Sequence, residues 1–162
     1  MKHPPGRPLL RFLRSGRYDP YSGASWTLDG WADGAAGVVA YPASFLPRWI
    51  AHELWLVELE GPVTEREFSV TAPRGRLTAR VEAWDRAAAA DFVRSLLARH
   101  PSLGYVPSAE TWTPAWEAAY VAAHTAGMVA EAAGRDYATA EAAEWAAQAD
   151  WLTDRLAVGS VG

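Results

Sequence analysis

The stretch from residue 54 to residue 84 alternates apolar and polar positions with the period of two that is typical of β-strands. It predicts a meander of three strands: Leu54–Glu60, Glu67–Thr71 and Leu77–Trp84. Turn residues separate the strands, namely Gly61-Pro62 and Ala72-Pro73-Arg74-Gly75. A sheet with this pattern buries one face and leaves the other free for solvent, a ligand or a partner.

The same alternation predicts which side chains share a face of the sheet. In the first strand, Trp55, Val57 and Leu59 lie on one side. In the last strand, four apolar residues are expected to be buried together: Leu77, Ala79, Val81 and Ala83. We expect Val57 and Leu59 to lie near them, with Arg80 on the exposed side.

Upstream of the meander the pattern is weaker. Leu9–Leu13 fits a strand or a helical turn, Val38–Tyr41 is a short apolar strand, and Ser44 is a candidate helix cap. Between them, residues 17–37 have the composition of a loop, yet this loop contains Tyr18, Tyr21, Trp26 and Trp31. It is either a wall or lid over a pocket or a loop fixed to the core by its aromatic side chains.

Apolar positions with helical spacing dominate the second half of the chain. Asp85 is a candidate N-cap for a helix through Arg99, and Thr113-Pro114 is a strong start for a helix through Ala133 that ends at Gly134. A final helix begins at Asp136 or Thr139 and runs to about Ala157. The short connection predicts that the last two helices pair antiparallel, and their many alanines allow a close approach.

These elements predict an α+β protein in which a small antiparallel sheet packs against a helical layer. A chain of 162 residues is expected to form a single domain, residues 1–162, with a β-rich subregion over residues 1–84 and a helical subregion over residues 85–162.

Composition and charge limit the cellular location and the partners that we expect for the protein. There is no cysteine, no apolar run long enough to span a membrane and no secretory signal, which together indicate a cytoplasmic protein without membrane partners. Fourteen of the fifteen basic residues are Arg, as expected from a GC-rich genome.

Charge is unevenly distributed along the chain. Residues 1–17 carry five positive charges, whereas residues 100–162 hold two Arg against eight acids. An acidic second half argues against nucleic-acid binding, and the basic arm either touches an anionic partner or packs on the acidic half. The sequence does not indicate an oligomeric state.

The chain contains no strong catalytic motif: no phosphate loop, no dinucleotide-binding glycine pattern, no nucleophile elbow and no zinc-binding helix. The best candidates are Glu117, Tyr120 and His124, which share one side of an alanine-rich helix. His124 is the natural general acid or base, Tyr120 would orient or donate a proton, and Glu117 would set the imidazole tautomer. The alternative is that His124 and Tyr120 are packing residues and the acid faces water. The four His lie in distant segments, so we expect no metal site and no cofactor.

Nine Trp exceed what packing normally requires. With the tyrosines of the loop, they are expected to line an apolar cavity where the sheet meets the helices. Two arginines in the predicted turn could grip a carboxylate or phosphate, although a solvated turn with one Arg on a neighbouring acid is the simpler interpretation. The candidate substrate-binding residues are Tyr18, Tyr21, Trp26, Trp84, Trp116, Arg74 and Arg76.

Three stretches, GVVAYPASFLPRWIAHELWLVELEG, VTAPRGRLTARVEAWD and EWAAQADWLTDRL, resemble an uncharacterised family of small actinobacterial proteins. That family has a Gly-x-His-Ala-Cys element before a Leu-Pro-x-Trp helix, then Glu-Leu-Trp, Val-Glu-Leu-x-Gly and Arg-Gly-Arg-Leu. Here Val39 and Tyr41 replace the His and Cys, so any chemistry those residues perform is lost or changed. The resemblance implies a fold and no reaction. A looser similarity in the order of elements points to ADP-ribosyltransferase-like proteins, without their catalytic signature.

The leading hypothesis is that the protein binds a small organic molecule in a pocket lined by Trp and Tyr, as a cofactor-independent tailoring or cyclising enzyme of secondary metabolism that uses His124. One alternative is a non-enzymatic interaction module that docks through the Arg-bearing face of the meander. Another is an ADP-ribosyltransferase-like enzyme. A deep pocket around His124 favours the first hypothesis, and a flat patch of Trp and Arg favours the second.

Overall fold

The computed structural model describes residues 7–17, 26–27, 30–103 and 113–158, in which an antiparallel sheet is followed by three α-helices. The strands are β1 Leu9–Leu13, β2 Ala32–Pro42, β3 Glu53–Glu60, β4 Thr64–Glu65 and β5 Val70–Arg80. The α-helices are α1 Arg86–Arg99, α2 Thr113–Ala132 and α3 Tyr137–Leu156. Two short 3-10 helices cover Ala43–Arg48 and Pro101–Leu103. The predicted α+β class, with a sheet under a helical layer and a C-terminal pair of helices, is confirmed.

The sheet closes into a small barrel. Its strands lie in the order β2-β1-β3-β5-β4, and β2 also pairs with β5, so four strands form a ring with β4 added on β5. A barrel of four strands encloses little space, and side chains fill it. The cluster inside contains Leu9, Leu13, Trp26, Val38, Ala40, Trp55, Val57, Val70 and Leu77.

Two of the interior side chains are unusual for a barrel core. Trp26, which belongs to the predicted aromatic loop, is only 6% exposed, and Arg11 of β1 is only 5% exposed. The Arg11 guanidinium donates a hydrogen bond to the carbonyl of Val39 and lies 5.4 Å from the centre of the Trp26 ring. Burial of an arginine is tolerated here because its charge has both a carbonyl and a ring face as partners.

The predicted turn at residues 72–75 is wrong, because these residues lie inside the single long strand β5. Pro73 has no N–H, and it is accommodated opposite the irregular part of β2 between Asp33 and Val38. Gly75 is required by close packing, since a Cβ at this position would lie 2.8 Å from a methyl group of Val38. The local sequence resembles a turn, and pairing with two neighbouring strands makes it a strand.

The predicted burial of the last strand is also wrong beyond Leu77. Leu77 is buried beside Val57 and Leu59, as expected, but Ala79 and Ala83 are exposed and Val81 is half-buried. The cause is that β5 ends at Arg80 and that its register against β3 shifts opposite Leu56 and Val57. The alternation therefore does not continue to residue 84.

A second core lies between the barrel and the helices. The outer side of the sheet supplies Leu10, Phe12 and Leu54, and the helices supply apolar residues that include Phe92 and Leu152. Trp84 is central to this layer: it is 1% exposed, its indole N–H donates to the carbonyl of Ala51 at 3.0 Å, and its ring meets Phe12 edge to face.

The α-helices begin and end near the capping residues that the sequence predicts. Asp85 caps α1 by accepting from the Ala88 amide at 2.8 Å, and Asp136 caps α3 by accepting from the Thr139 amide at 2.8 Å. Gly134, just beyond α2, has a φ of 73°. The helix predicted from Ser44 is instead a 3-10 helix that begins one residue earlier and has no side-chain cap. Strand β2 begins at Ala32, so the predicted loop over residues 17–37 is shorter than expected.

Helices α2 and α3 approach closely because small residues face the contact. Ala118, Ala119 and Ala122 are fully buried, and at Gly127 the ring of Tyr137 takes the place of a side chain. A Cβ at residue 127 would lie 2.4 Å from an atom of that ring. The first turn of α3 is therefore seated on a glycine of α2.

This contact predicts the effect of Gly127→Ala. The substitution favours the helix intrinsically by about 1 kcal/mol, but the clash with Tyr137 should lower the free energy of unfolding by about 1–3 kcal/mol. Urea denaturation measures the change. In a Tyr137→Ala background the same substitution should become neutral or stabilising. Equal destabilisation in both backgrounds would show that the ring is not the cause.

Candidate functional site

The 3-10 helix Ala43–Arg48 carries an arginine to the junction of the sheet and the helices. Leu46 and Pro47 are buried and fix this short helix against the core. Its C-cap is Trp49, whose amide donates to the carbonyl of Leu46 at 3.0 Å and whose indole N–H donates to the carbonyl of Phe68 at 3.1 Å. Arg48 is thus held by backbone anchored on both sides.

The guanidinium of Arg48 lies over two aromatic rings. Its central carbon is 3.8 Å from the centre of the Phe68 ring and 4.3 Å from that of Trp145 on α3. We call this arrangement the Arg48 clamp. An arginine over a ring gains electrostatic attraction from the face of that ring. The contact joins the segment before β5 to α3 through a single side chain.

The backbone of Arg48 organises an aromatic cluster made of Trp116, Tyr120 and Trp145. Its carbonyl accepts from the indole N–H of Trp116 at 3.3 Å and from the hydroxyl of Tyr120 at 3.2 Å. The Tyr120 ring lies 5.0 Å from Trp116 and 4.8 Å, edge to face, from Trp145. Burial raises the pKa of Tyr120, and the charge of Arg48 offsets part of the increase. Tyr120 is therefore a neutral donor at neutral pH.

A groove of about 600 Å³ runs beside the Arg48 clamp, between the 3-10 helix and α3. The 3-10 helix contributes Ala43, Ser44, Phe45 and Arg48, and the remaining residues of the wall are Arg7, Pro8, Pro42 and Val158. Helix α3 contributes one face, in which spacings of three residues and one residue alternate: Ala142, Trp145, Ala146, Ala149, Asp150 and Thr153. Its volume and its mixed apolar and polar lining fall within the range of small-molecule sites.

Two side chains at the Arg48 clamp carry hydrogen-bond donors that have no acceptor in the described part of the chain. Within the described residues, the Arg48 side chain has neither a carboxylate nor a hydrogen-bond acceptor as partner. Trp145 is 7% exposed, and its indole N–H also has no acceptor in the part of the chain that the structure describes. The acid of the groove, Asp150, lies more than one helical turn beyond Trp145 along α3.

The candidate catalytic residues on α2 lie outside the lining of this groove. His124 and Glu117 are exposed, and Tyr120 is turned onto the carbonyl of Arg48. The Nδ1 atom of His124 lies 2.8 Å from the hydroxyl of Tyr137, and either atom is the donor, depending on the imidazole tautomer. Of the three residues only Tyr120 belongs to the aromatic cluster, so an acid–base role for His124 stays a prediction.

The candidate binding residues are scattered over the fold. Trp26 fills the barrel, Trp84 fills the second core, and only Trp116 reaches the aromatic cluster. Tyr18 and Tyr21 lie outside the described residues, so the predicted lid stays a prediction.

The two arginines predicted to grip an anion are already paired. Arg74 and Arg76 of β5 form ion pairs of 2.7 and 2.6 Å with Glu60 and Glu58 of β3, and both guanidinium groups lie near the ring of Trp31. The pairing with neighbouring acids agrees with the simpler interpretation, but the arginines lie in a strand and not in a turn, and both of them are paired. The sequence-based reasoning missed Arg48 and Phe45, which belong to the groove. The sequence signal that could have located the groove is the set of alanines around Trp145, which gives one face of α3 only small side chains beside the indole.

A separate polar network ties the three helices together around Glu144, which is only 6% exposed. Its carboxylate accepts from Arg99 at 2.8 Å and from Gln148 at 3.1 Å, and lies 2.9 Å from the imidazole of His100. Gln148 also donates to the carbonyl of Ala119 on α2 at 3.0 Å. Burial alone would raise the pKa of Glu144, but the hydrogen bonds from its partners together lower it. A second groove, of about 550 Å³, lies beside this network.

The described part of the chain shows neither a candidate metal site nor a candidate membrane-spanning helix. It contains no group of three or more His, Asp or Glu side chains able to hold a metal ion. Its helices include none with the length and apolar character needed to cross a bilayer.

In comparisons with known proteins, the chain matches no protein-family model, no curated protein and no solved structure. The groove and its chemistry therefore carry the functional argument.

The Glu144 network predicts a pH-dependent stability. Because the folded-state pKa of Glu144 lies below its ordinary value of 4.5, its contribution is complete above that pH and is lost as the pH falls through the folded-state pKa. At neutral pH, Glu144→Gln should lower the free energy of unfolding by about 1–3 kcal/mol. The difference from the unmodified protein, measured by urea denaturation, should shrink below pH 4.5.

The control is Asp154→Asn, which removes an exposed carboxylate from the same helix. It should change stability little at any pH. A Glu144→Gln difference that stays constant into acid would contradict the assigned role of the carboxylate.

Proposed function

We propose that the protein binds a small organic molecule in the groove between the 3-10 helix and α3. The observation that carries the proposal is a groove of about 600 Å³ walled by Phe45 and Trp145, with alanines forming its floor on α3. Flat aromatic walls favour a ligand with a ring. A ring buries a large apolar area against such walls, and it has few rotatable bonds whose freedom is lost on binding. The hydrogen bonds to the Arg48 carbonyl support a wall that is formed before the ligand arrives.

The enzymatic extension of this function is less well supported. Acid–base catalysis by His124 requires a substrate to reach the exposed face of α2, and the lining of the groove does not include that face. Replacing His124 by Asn, which keeps hydrogen bonding but does not exchange a proton near neutral pH, tests this role once a turnover assay exists.

The alternative of an interaction module that docks through the Arg-bearing strands has weaker support. Arg74 and Arg76 are neutralised by partners on β3, so this face offers a partner little net charge. An ADP-ribosyltransferase-like activity gains no support from the described residues.

Blocking the groove tests the proposal. Ala146 lines it and is exposed, so Ala146→Phe fills the groove without disturbing the core. Ala138→Phe adds the same ring to an exposed position of α3 that does not line the groove. The probes are 2-naphthoate and its neutral analogue 2-naphthamide, titrated into ¹⁵N-labelled protein.

We expect the indole N–H resonance of Trp145, assigned through Trp145→Phe, to shift on addition of at least one probe. Affinity should fall at least tenfold in Ala146→Phe, since a filled groove excludes the ligand, and should be unchanged in Ala138→Phe. Equal binding to both variants, or no shift at millimolar probe, would refute the proposed site.

A further inference from the structure

Arg48 carries unused hydrogen-bonding capacity at the edge of the groove. A guanidinium has five N–H donors in one plane and no acceptor. The Arg48 clamp places the guanidinium carbon over two ring faces, and a ring face does not replace an oxygen acceptor for the N–H donors. Among the described residues none accepts from these donors, and the side chain is half-buried.

Among the described arginines that are buried or half-buried, all except Arg48 have a hydrogen-bond acceptor: Arg11, Arg17 and Arg74. Arg74, Arg76 and Arg99 each meet a carboxylate within 2.8 Å, and Arg11 donates to a backbone carbonyl. Acids are abundant on α3, yet none lies within ion-pair distance of Arg48. A planar cation fixed by two rings, half-buried and not paired with a carboxylate, has the geometry of a receptor for a bidentate oxyanion.

The distribution of charge along the groove supports the same assignment. Asp150 lies five residues beyond Trp145 along α3, away from the Arg48 clamp, and Arg7 adds a second cation to the lining of the groove. The indole N–H of Trp145 adds a second donor without an acceptor in the described chain. Both donors belong to residues that already define the wall for a ring.

We propose that the ligand of the groove is a ring-bearing organic acid whose carboxylate or phosphate is held by Arg48 while its ring lies between Phe45 and the alanines of α3. This inference rests on the proposed function and specifies the class of its ligand. A carboxylate or phosphate pairs with the guanidinium through two parallel N–H···O bonds, which a neutral amide cannot match. Charge on the ligand, more than the area of its ring, then sets specificity.

The test compares three probes of the same ring by calorimetric titration: 2-naphthoate, 2-naphthyl phosphate and neutral 2-naphthamide. With the unmodified protein, at least one of the two acids should bind roughly tenfold or more tightly than the amide. Arg48→Gln should abolish that preference, and Arg48→Lys should restore only part of it, because lysine keeps the charge but not the planar fork. Arg135→Gln, which removes an exposed arginine in the turn between α2 and α3, is the matched control and should leave the preference intact.

The outcomes separate the two proposals. If all three probes bind equally well and Ala146→Phe blocks them, the groove stands as a binding site and the oxyanion inference is overturned. If no probe binds at millimolar concentration, both proposals fall. The comparison of acid with amide on the unmodified protein decides the question even if Arg48→Gln does not fold, and far-ultraviolet circular dichroism reports the fold of each variant.

Discussion

Closure of the sheet on itself is the constraint from which the rest of this structure follows. Once β2 pairs with β5, four strands form a ring whose interior is filled by its own side chains, including Trp26 and Arg11. Such a ring has no room for a ligand, in contrast to barrels of eight strands or more. The proposed ligand would therefore have to bind outside the barrel, where its outer face and the 3-10 helix meet the helical layer. The groove beside α3 lies at this junction.

Arg48 connects these layers. Its backbone carbonyl holds Trp116 and Tyr120 of α2, and its side chain lies over Phe68 before β5 and over Trp145 of α3. Each of these contacts is modest alone, on the order of 1 kcal/mol. Together they position one cation, without a carboxylate partner in the described chain, against a preformed aromatic wall. Preorganisation of this kind lowers the entropic cost of binding a rigid ligand.

Local signals in the sequence predicted the helical half well, and non-local pairing explains most of what they missed. Asp85 caps its helix as predicted, and Asp136, one of the two predicted starts, caps the last helix, because a cap depends only on the next three residues. Residues 72–75 have the chemistry of a turn, but pairing with β2 and β3 makes them strand, and this pairing depends on residues far away in the chain. The groove was not predicted for the same reason. His124 stands out on its own helix, whereas Arg48 gains its significance only from rings supplied by Phe68 and Trp145.

The most direct test of the account is a crystal structure of the protein with 2-naphthoate bound. We expect the carboxylate to accept two hydrogen bonds from the Arg48 guanidinium, with N···O distances of about 2.7–2.9 Å. The naphthyl ring should lie against Phe45 and Ala146, with the Arg48 clamp unchanged. A ligand held in the second groove beside Glu144, or in the main groove with its carboxylate turned away from Arg48, would contradict the account.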